Sequence, residues 1–155
     1  MAIENAREYL KKYNLDSRMR IFDRSTATVE EAACVNGCEM ARIGKTMSFW
    51  IKDEPAVILV SGDGRINNQK FKACFHTKAK MISGDEVEKV IGHPVGGVCP
   101  FGVNKNVKVY LDISIKRFPT VIPACGGPNT AIELSIEEVE RVSNSDGWVD
   151  ICQKF

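Results

Sequence analysis

Two runs rich in β-branched and aromatic residues, Thr46 to Ile51 and Ala56 to Ser61, stand on either side of Lys52-Asp53-Glu54-Pro55. Runs of that composition separated by a short polar stretch spell a β-hairpin. The second run contains Ala56-Val57-Ile58-Leu59-Val60 with no polar residue, so this strand is expected to be buried on both faces. At 155 residues the chain can form one core that removes about 70% of the unfolded surface from water, and a single domain over residues 1–155 is expected.

Short helices alternate with short strands around that hairpin. Ile3, Ala6, Leu10 and Tyr13 recur at helical spacing and predict an amphipathic helix from about Glu4 to Asn14. Met19 to Phe22 reads as a short strand. Thr28-Val29-Glu30-Glu31 has the form of a capping box and opens a helix ending near Gly37. A helix from about Asn68 to Cys74 follows the hairpin, then a strand near Ala79 to Ile82. Ser83 to Glu86 gives a second capping signal for a helix that reaches Ile91 and stops at Gly92. Val107 to Leu111 and Thr120 to Ala124 read as strands, with Pro119 and Pro123 favouring edge or terminal positions. Ala131 to Leu134 is a last strand, and Ser135 caps a helix to about Val142. Strict βαβ alternation is missing. The expected fold is therefore α/β, with a curved, barrel-like mixed sheet flanked by helices and not a doubly wound parallel sheet.

Composition excludes several classes of function. With 44% hydrophobic and 26% charged residues, the sequence is that of a globular protein, and its formal charge of +1 excludes a globally basic nucleic-acid coat. The longest apolar run is too short to span a bilayer, and no basic-then-apolar leader is read at Met1 to Asn5, so a cytoplasmic location is expected. Six cysteines are spread thinly and read as reduced thiols. Cys34 and Cys38 are four apart, and His76 and His93 stand alone, which does not make a zinc spacing. No metal and no cofactor are expected.

Two glycine turns and one lysine remain as candidates for chemistry. The segment from His93 to Gly102 is too rich in glycine and proline for regular structure, yet too apolar for an ordinary surface loop. It has Walker-type glycine spacing, but Val103 and Asn104 occupy the places of the lysine and hydroxyl residue. No G-x-S-x-G elbow occurs. Glycine pairs at Gly96-Gly97 and Gly126-Gly127 could aim backbone N–H groups at a carboxylate, phosphate or oxyanion; tight-turn geometry would explain them equally well. Lys45 sits where a loop passes into the first hairpin strand. It reads either as a solvated strand-end lysine or as a cation held beside buried groups.

The stretches Ala41 to Thr46, Val95 to Gly102, and Cys125-Gly126-Gly127 followed by Ile132-Glu133-Leu134 resemble the YbaK-like aminoacyl-tRNA deacylase family, which is related to the editing domain inserted in bacterial prolyl-tRNA synthetases. The similarity runs from about Ile21 to Val142. It implies a barrel-like α/β fold and hydrolysis, in trans, of the ester joining a wrong amino acid to tRNA, typically tRNA for proline. Prolyl-tRNA synthetase is a further partner the resemblance suggests.

The family's essential lysine maps onto Lys45, and the following family position onto Thr46. Its glycine pair maps onto Gly96 and Gly97 and its second glycine turn onto Gly126 and Gly127. An activated ester needs oriented water and a stabilised oxyanion but no protein nucleophile. On this reading N–H groups from Gly96 to Val98 form the oxyanion hole, while Lys45 holds the substrate or, if neutral, acts as general base. Cys99 and Cys125, small residues at the two turns, would leave room for a small amino acid. Which amino acid stays open, because Thr28 and Ala131 depart from the cysteine-clearing members and no histidine lies between Cys125 and Ser135. Lys70, Lys72, Lys78 and Lys80 form the densest basic cluster, with Lys105 beside the glycine loop, and are expected to contact tRNA. The same fold could serve a non-catalytic module that binds aminoacyl-tRNA or a synthetase.

Overall fold

A computed structural model describes residues 2–155. The first helix, α1 (Ala2–Lys11), buries Ala6 and Leu10 on its apolar stripe. It stops three residues short of the expected end because the amides of Tyr13 and Leu15 both turn back to the Leu10 carbonyl and Asn14 takes a φ of +60°. Strand β1 (Arg20–Ile21) follows. Helix α2 (Val29–Asn36) has the expected capping box: Glu31 N–H donates to Thr28 Oγ1 at 3.1 Å, and Thr28 N–H donates to the Glu31 carboxylate at 3.2 Å. Such caps are worth about 1 kcal/mol. Gly37, at φ +67°, ends the helix.

The hairpin of β2 (Ile43–Ile51) and β3 (Glu54–Ser61) is antiparallel, in register from Gly44↔Ser61 to Ile51↔Glu54. Its loop is two residues long, not four. Lys52 and Asp53 both adopt positive φ, the mirror-image turn that matches strand twist, so Glu54 and Pro55 join the strand.

Three further helices are α3 (Asn68–Phe75), α4 (Val87–Ile91) and α5 (Ile136–Ser143). The other strands are β4 (Lys108–Asp112), β5 (Thr120–Pro123), β6 (Thr130–Ala131), β7 (Leu134–Ser135) and β8 (Trp148–Val149). Six strands form one curled mixed sheet in the order β7-β5-β2-β3-β4-β8, while β1 and β6 pair separately. β3 is central and covered on both sides, as its sequence predicts. Ile58 and Val60 pack with Phe49, Phe71 and Ile151; Leu59 packs with Leu10, Phe101 and Leu134; Val57 packs with Ile82, Val87 and Ile91. Each such side chain contributes about 1.5–3 kcal/mol by leaving water. No helix among the described residues is long and apolar enough to cross a membrane.

Four expectations need correction. The Ser83 to Glu86 signal does not cap α4, which starts at Val87 with Glu86 as its N-cap and no side-chain cap; Ser83 Oγ instead donates to the Glu86 carboxylate at 2.9 Å. Residues 79–82 form no strand; the chain there touches β2 through one bridge, Phe49↔Met81, with Trp50 N–H on the Lys80 carbonyl at 2.8 Å and Ile82 N–H on the Ser48 carbonyl at 3.0 Å. The predicted strand Ala131 to Leu134 is split, because Ile132 N–H turns to the Pro123 carbonyl and the chain passes from pairing with β1 to pairing with β5. No element is expected from the sequence after the helix that Ser135 opens, yet Trp148–Val149 adds to the sheet beside β4.

The edge of β2 is open along part of its length. β5 pairs with β2 only at Ile43 and Gly44, and the 80–82 segment meets β2 only at Ser48 to Trp50. Between them, residues 45–47 face no neighbouring strand of the described residues on that edge.

Candidate active site

A cavity of about 390 Å³ fills this notch. Residues 43–48 of β2 line it, as do Ala27 before α2, Val29 and Ala32 from its first turn, Ile122 to Ala124 at the end of β5, and Thr130 and Ala131. Met81, Ile82 and Val87 close the opposite side, and Val95, Gly96 and Val98 bring in the glycine loop. Its walls are mainly apolar. The polar side chains lining it are hydroxyls and Lys45, with no carboxylate and no imidazole among them.

Lys45, Thr46, Gly96 and Val98 therefore come together on one cavity, although about fifty residues separate the two pairs in sequence. The Lys45 ammonium is part-buried and donates to the Gly64 carbonyl at 2.8 Å. This anchors the side chain and leaves two N–H bonds for other acceptors. Thr46 Oγ1 is buried and has no hydrogen-bond partner. Folded proteins seldom leave such an atom unpaired, since the desolvation cost is about 1–3 kcal/mol. Thr46 lines the cavity through other atoms, and this oxygen lies just behind the wall.

The two glycine turns meet. Gly97 is buried against Gly126 and Gly127, and Gly126 N–H donates to the Gly97 carbonyl at 2.9 Å. Gly97 N–H is itself committed to the Pro94 carbonyl at 2.9 Å, and Gly127 N–H to Thr130 Oγ1 at 3.3 Å. Gly97, Gly126 and Gly127 thus form a layer behind the cavity and do not line it. Among the described residues, the amides of Gly96 and Val98 are left without such a bond. Gly96 holds a φ of +85°, which favours glycine, and a Cβ there would lie 2.9 Å from that of Ala27.

Cys99 and Cys125, expected to border the amino acid, do not line the cavity. Both are fully buried in the core with Phe101 and Ile132. Burial pushes the Cys99 thiol up to about 12 and the Cys125 thiol well above its ordinary value, so neither is a nucleophile.

His93 is fully buried, with Nε2 2.7 Å from the Phe101 carbonyl and 3.5 Å from Cys99 Sγ. Burial lowers its pKa, so it is a neutral tie across the base of the 93–101 loop. His76 caps the end of α3 in the left-handed conformation.

The basic candidates separate. Lys70 is paired with Asp150 at 3.0 Å. Lys72, Lys78, Lys80 and Lys105 are exposed. Lys78 and Lys80 flank the segment that carries Met81 to the cavity, whereas Lys72 lies on α3. Sequence reasoning missed the apolar lining from α2 and the exposed pair Met81 and Val95, 58% and 63% accessible, on the cavity lining. The Thr28 capping box was a usable signal for the first, because it fixes where α2 begins.

Comparison with known proteins agrees with this arrangement. Residues 23–142 match the family described as "Aminoacyl-tRNA editing domain". Uncharacterized protein YwhH of Bacillus subtilis (strain 168) is 42% identical over 156 residues, covering 100% of this chain and 99% of that protein. A proline–tRNA ligase of Geobacter sp. (strain M21) is 29% identical over 127 residues, which cover 80% of this chain and 22% of the ligase. The fold is shared with the crystal structure of a candidate trans-editing enzyme for prolyl-tRNA synthetase, at a TM-score of 0.87 and 24% identity over 99% of this chain and 98% of that one. This chain belongs to the aminoacyl-tRNA editing domain family.

Proposed function

We propose that this protein is a trans-editing deacylase that hydrolyses the ester between a small non-cognate amino acid and the 3′ end of tRNA, with tRNA for proline as the expected carrier. The observation that carries the reading is Lys45, its ammonium anchored on the Gly64 carbonyl, at an apolar cavity that no carboxylate or imidazole of the described residues lines. An aminoacyl ester suits such a cavity, since it is already activated and needs placement and charge stabilisation more than a protein nucleophile. The similarity to part of a proline–tRNA ligase supports the choice of tRNA and makes a prolyl-tRNA synthetase a reasonable partner. The protein is expected to work in the cytoplasm, where that substrate is.

In this mechanism the aminoacyl side chain enters among Val29, Ala32 and Ile122, and the ester carbonyl lies toward the loop. Water adds to the carbonyl carbon, and negative charge develops on its oxygen. The free amides of Gly96 and Val98 would meet that oxygen, and the Lys45 ammonium would meet the ester or the adjacent ribose and phosphate. The carbon–oxygen bond to the ribose then breaks, the ribose oxygen takes the proton lost by water, and free amino acid leaves. Gly97 donates to Pro94 and serves this scheme only by holding its neighbours.

The test is release of free amino acid from alanyl, cysteinyl, seryl and 2-aminobutyryl esters of tRNA for proline. Turnover of at least one ester is expected, with Lys45→Ala lowering kcat on the order of a hundredfold, as for loss of an oxyanion partner. A Lys45→Ala protein that clears at the wild-type rate would overturn the role of the lysine. Tight binding of every ester without release would move the protein to the class of non-catalytic binding modules.

A further inference from the structure

We infer that residues 148–155 position the Lys45 ammonium, acting through the Gly64 carbonyl; the inference rests on the proposed role of Lys45 in the editing reaction. Lys45 has four side-chain torsions, and its one hydrogen-bond partner among the described residues is that carbonyl, 2.8 Å away. Gly64 lies in the turn after β3, and whatever fixes this turn fixes the cation.

Besides the turn's own bond from Gly64 N–H to the Ser61 carbonyl at 2.8 Å, three attachments to the last stretch of the sequence fix it. Residues 65–67 are zipped to residues 151–153: Asn67 N–H donates to the Ile151 carbonyl and Gln153 N–H to the Arg65 carbonyl, both at 2.8 Å, with an Ile66↔Cys152 bridge between them. That ribbon is tied to the sheet where Ile151 N–H donates to the fully buried Asp112 at 2.8 Å. Cys152 packs directly on Gly64, where a Cβ would lie 3.2 Å from the Cys152 sulfur. The other side of the turn is held by Arg117, which donates to Asp63 and Ser61 and carries the Phe155 ring 3.5 Å from its Cζ.

Gly64 has an ordinary backbone conformation, so an alanine there is resisted by its neighbours, Cys152 Sγ at 3.2 Å and Ser61 O at 3.0 Å, and not by its own torsions. Gly64→Ala should therefore displace the carbonyl without unfolding the chain. In the wild type, an ammonium hydrogen-bonded in a partly closed site should give a resolved ¹⁵N-lysine side-chain signal, assigned by its loss in Lys45→Ala. That signal should broaden or vanish in Gly64→Ala, weaken in the exposed variant Phe155→Ala, and recover in part when Cys152→Ala is added to Gly64→Ala, the Ser61 carbonyl contact remaining. In turnover of mischarged tRNA, Gly64→Ala should lower kcat about tenfold or more with little change in KM, the size expected for an ångström-scale misplacement. In a Lys45→Ala background it should cost nothing further.

A Lys45 signal indifferent to both Gly64→Ala and Phe155→Ala would overturn the inference. So would an equal loss of kcat with and without Lys45. If no mischarged tRNA is cleared at all, the proposed function fails while the resonance still decides whether residues 148–155 hold the ammonium.

Discussion

Gly97 and Gly127 pack backbone on backbone: a Cβ on Gly97 would stand 2.5 Å from the Gly127 nitrogen and 2.6 Å from its Cα. These atoms cannot rotate away as a side chain can. The glycine at 97 is thus required by a close approach of two loops, and its φ is not in the left-handed region.

Gly97→Ala is accordingly expected to push the 93–102 loop off the 125–127 turn, at a cost of about 1–3 kcal/mol as in overpacked cores. Urea unfolding would show this, and activity should fall with it because Gly96 and Val98 move too. Gly84→Ala is the control. It also has no positive φ, and its nearest neighbour is Val95 Cγ2 at 3.7 Å, so its stability should hold or rise by about 0.4–1 kcal/mol. Equal destabilisation by both substitutions would show that loop approach is not what Gly97 serves.

Thr46→Val keeps the side-chain shape and deletes a hydroxyl that has no protein partner. Stability should stay level or improve slightly, since a buried polar atom is replaced by an apolar one. If that hydroxyl meets the substrate, the missing hydrogen bond is worth about 1.5–3 kcal/mol and kcat/KM should fall roughly ten- to a hundredfold. Thermal melts and deacylation assays on the same preparation separate the two effects. Lower stability with unchanged kcat/KM would mean that Thr46 is a structural residue.

The parts of the fold legible in sequence are those fixed by local pattern. Thr28 with Glu31 and Ser135 with Glu138 form the capping boxes their spacing predicts, and Ala56 to Val60 are buried on both faces. Elements that exist only through tertiary contact were not legible. Met81 bridges Phe49 without a strand of its own, and Trp148–Val149 becomes a strand only because β4 offers an edge. The site divides in the same way. Lys45 and Thr46 could be named from their place at the start of the first hairpin run and from family resemblance, although β2 begins two residues earlier, at Ile43. Nothing local distinguishes Gly96, which lines the cavity, from Gly97, which packs behind it, because the difference lies in which neighbour each backbone touches.

His93 should make stability depend on pH in a definite direction. Burial lowers its folded-state pKa below the ordinary 6.5, so the unfolded chain binds its proton first. The neutral ring's contribution is complete above pH 6.5 and is lost progressively as pH falls below that value toward the lower folded pKa. The midpoint of thermal unfolding should drop over this window. His93→Gln, which can still donate to the Phe101 carbonyl, should flatten that part of the profile. An unaltered slope in the variant would assign the acid sensitivity to other groups.

Lys78 and Lys80 are exposed beside the segment that delivers Met81 to the cavity, which places two cations near the expected path of an acceptor stem. Lys78→Glu with Lys80→Glu should weaken binding of aminoacyl-tRNA and flatten its salt dependence, by about one unit of log–log slope for each phosphate no longer neutralised. Turnover at saturating tRNA should be little changed, because neither side chain lines the cavity. Lys70→Glu provides the comparison, since its ammonium already serves Asp150 at 3.0 Å and has less charge to offer a phosphate. Filter binding across a salt series would measure all three substitutions. If Lys70→Glu proves as costly as the Lys78 and Lys80 pair, the stem passes over α3 and not across the mouth of the cavity.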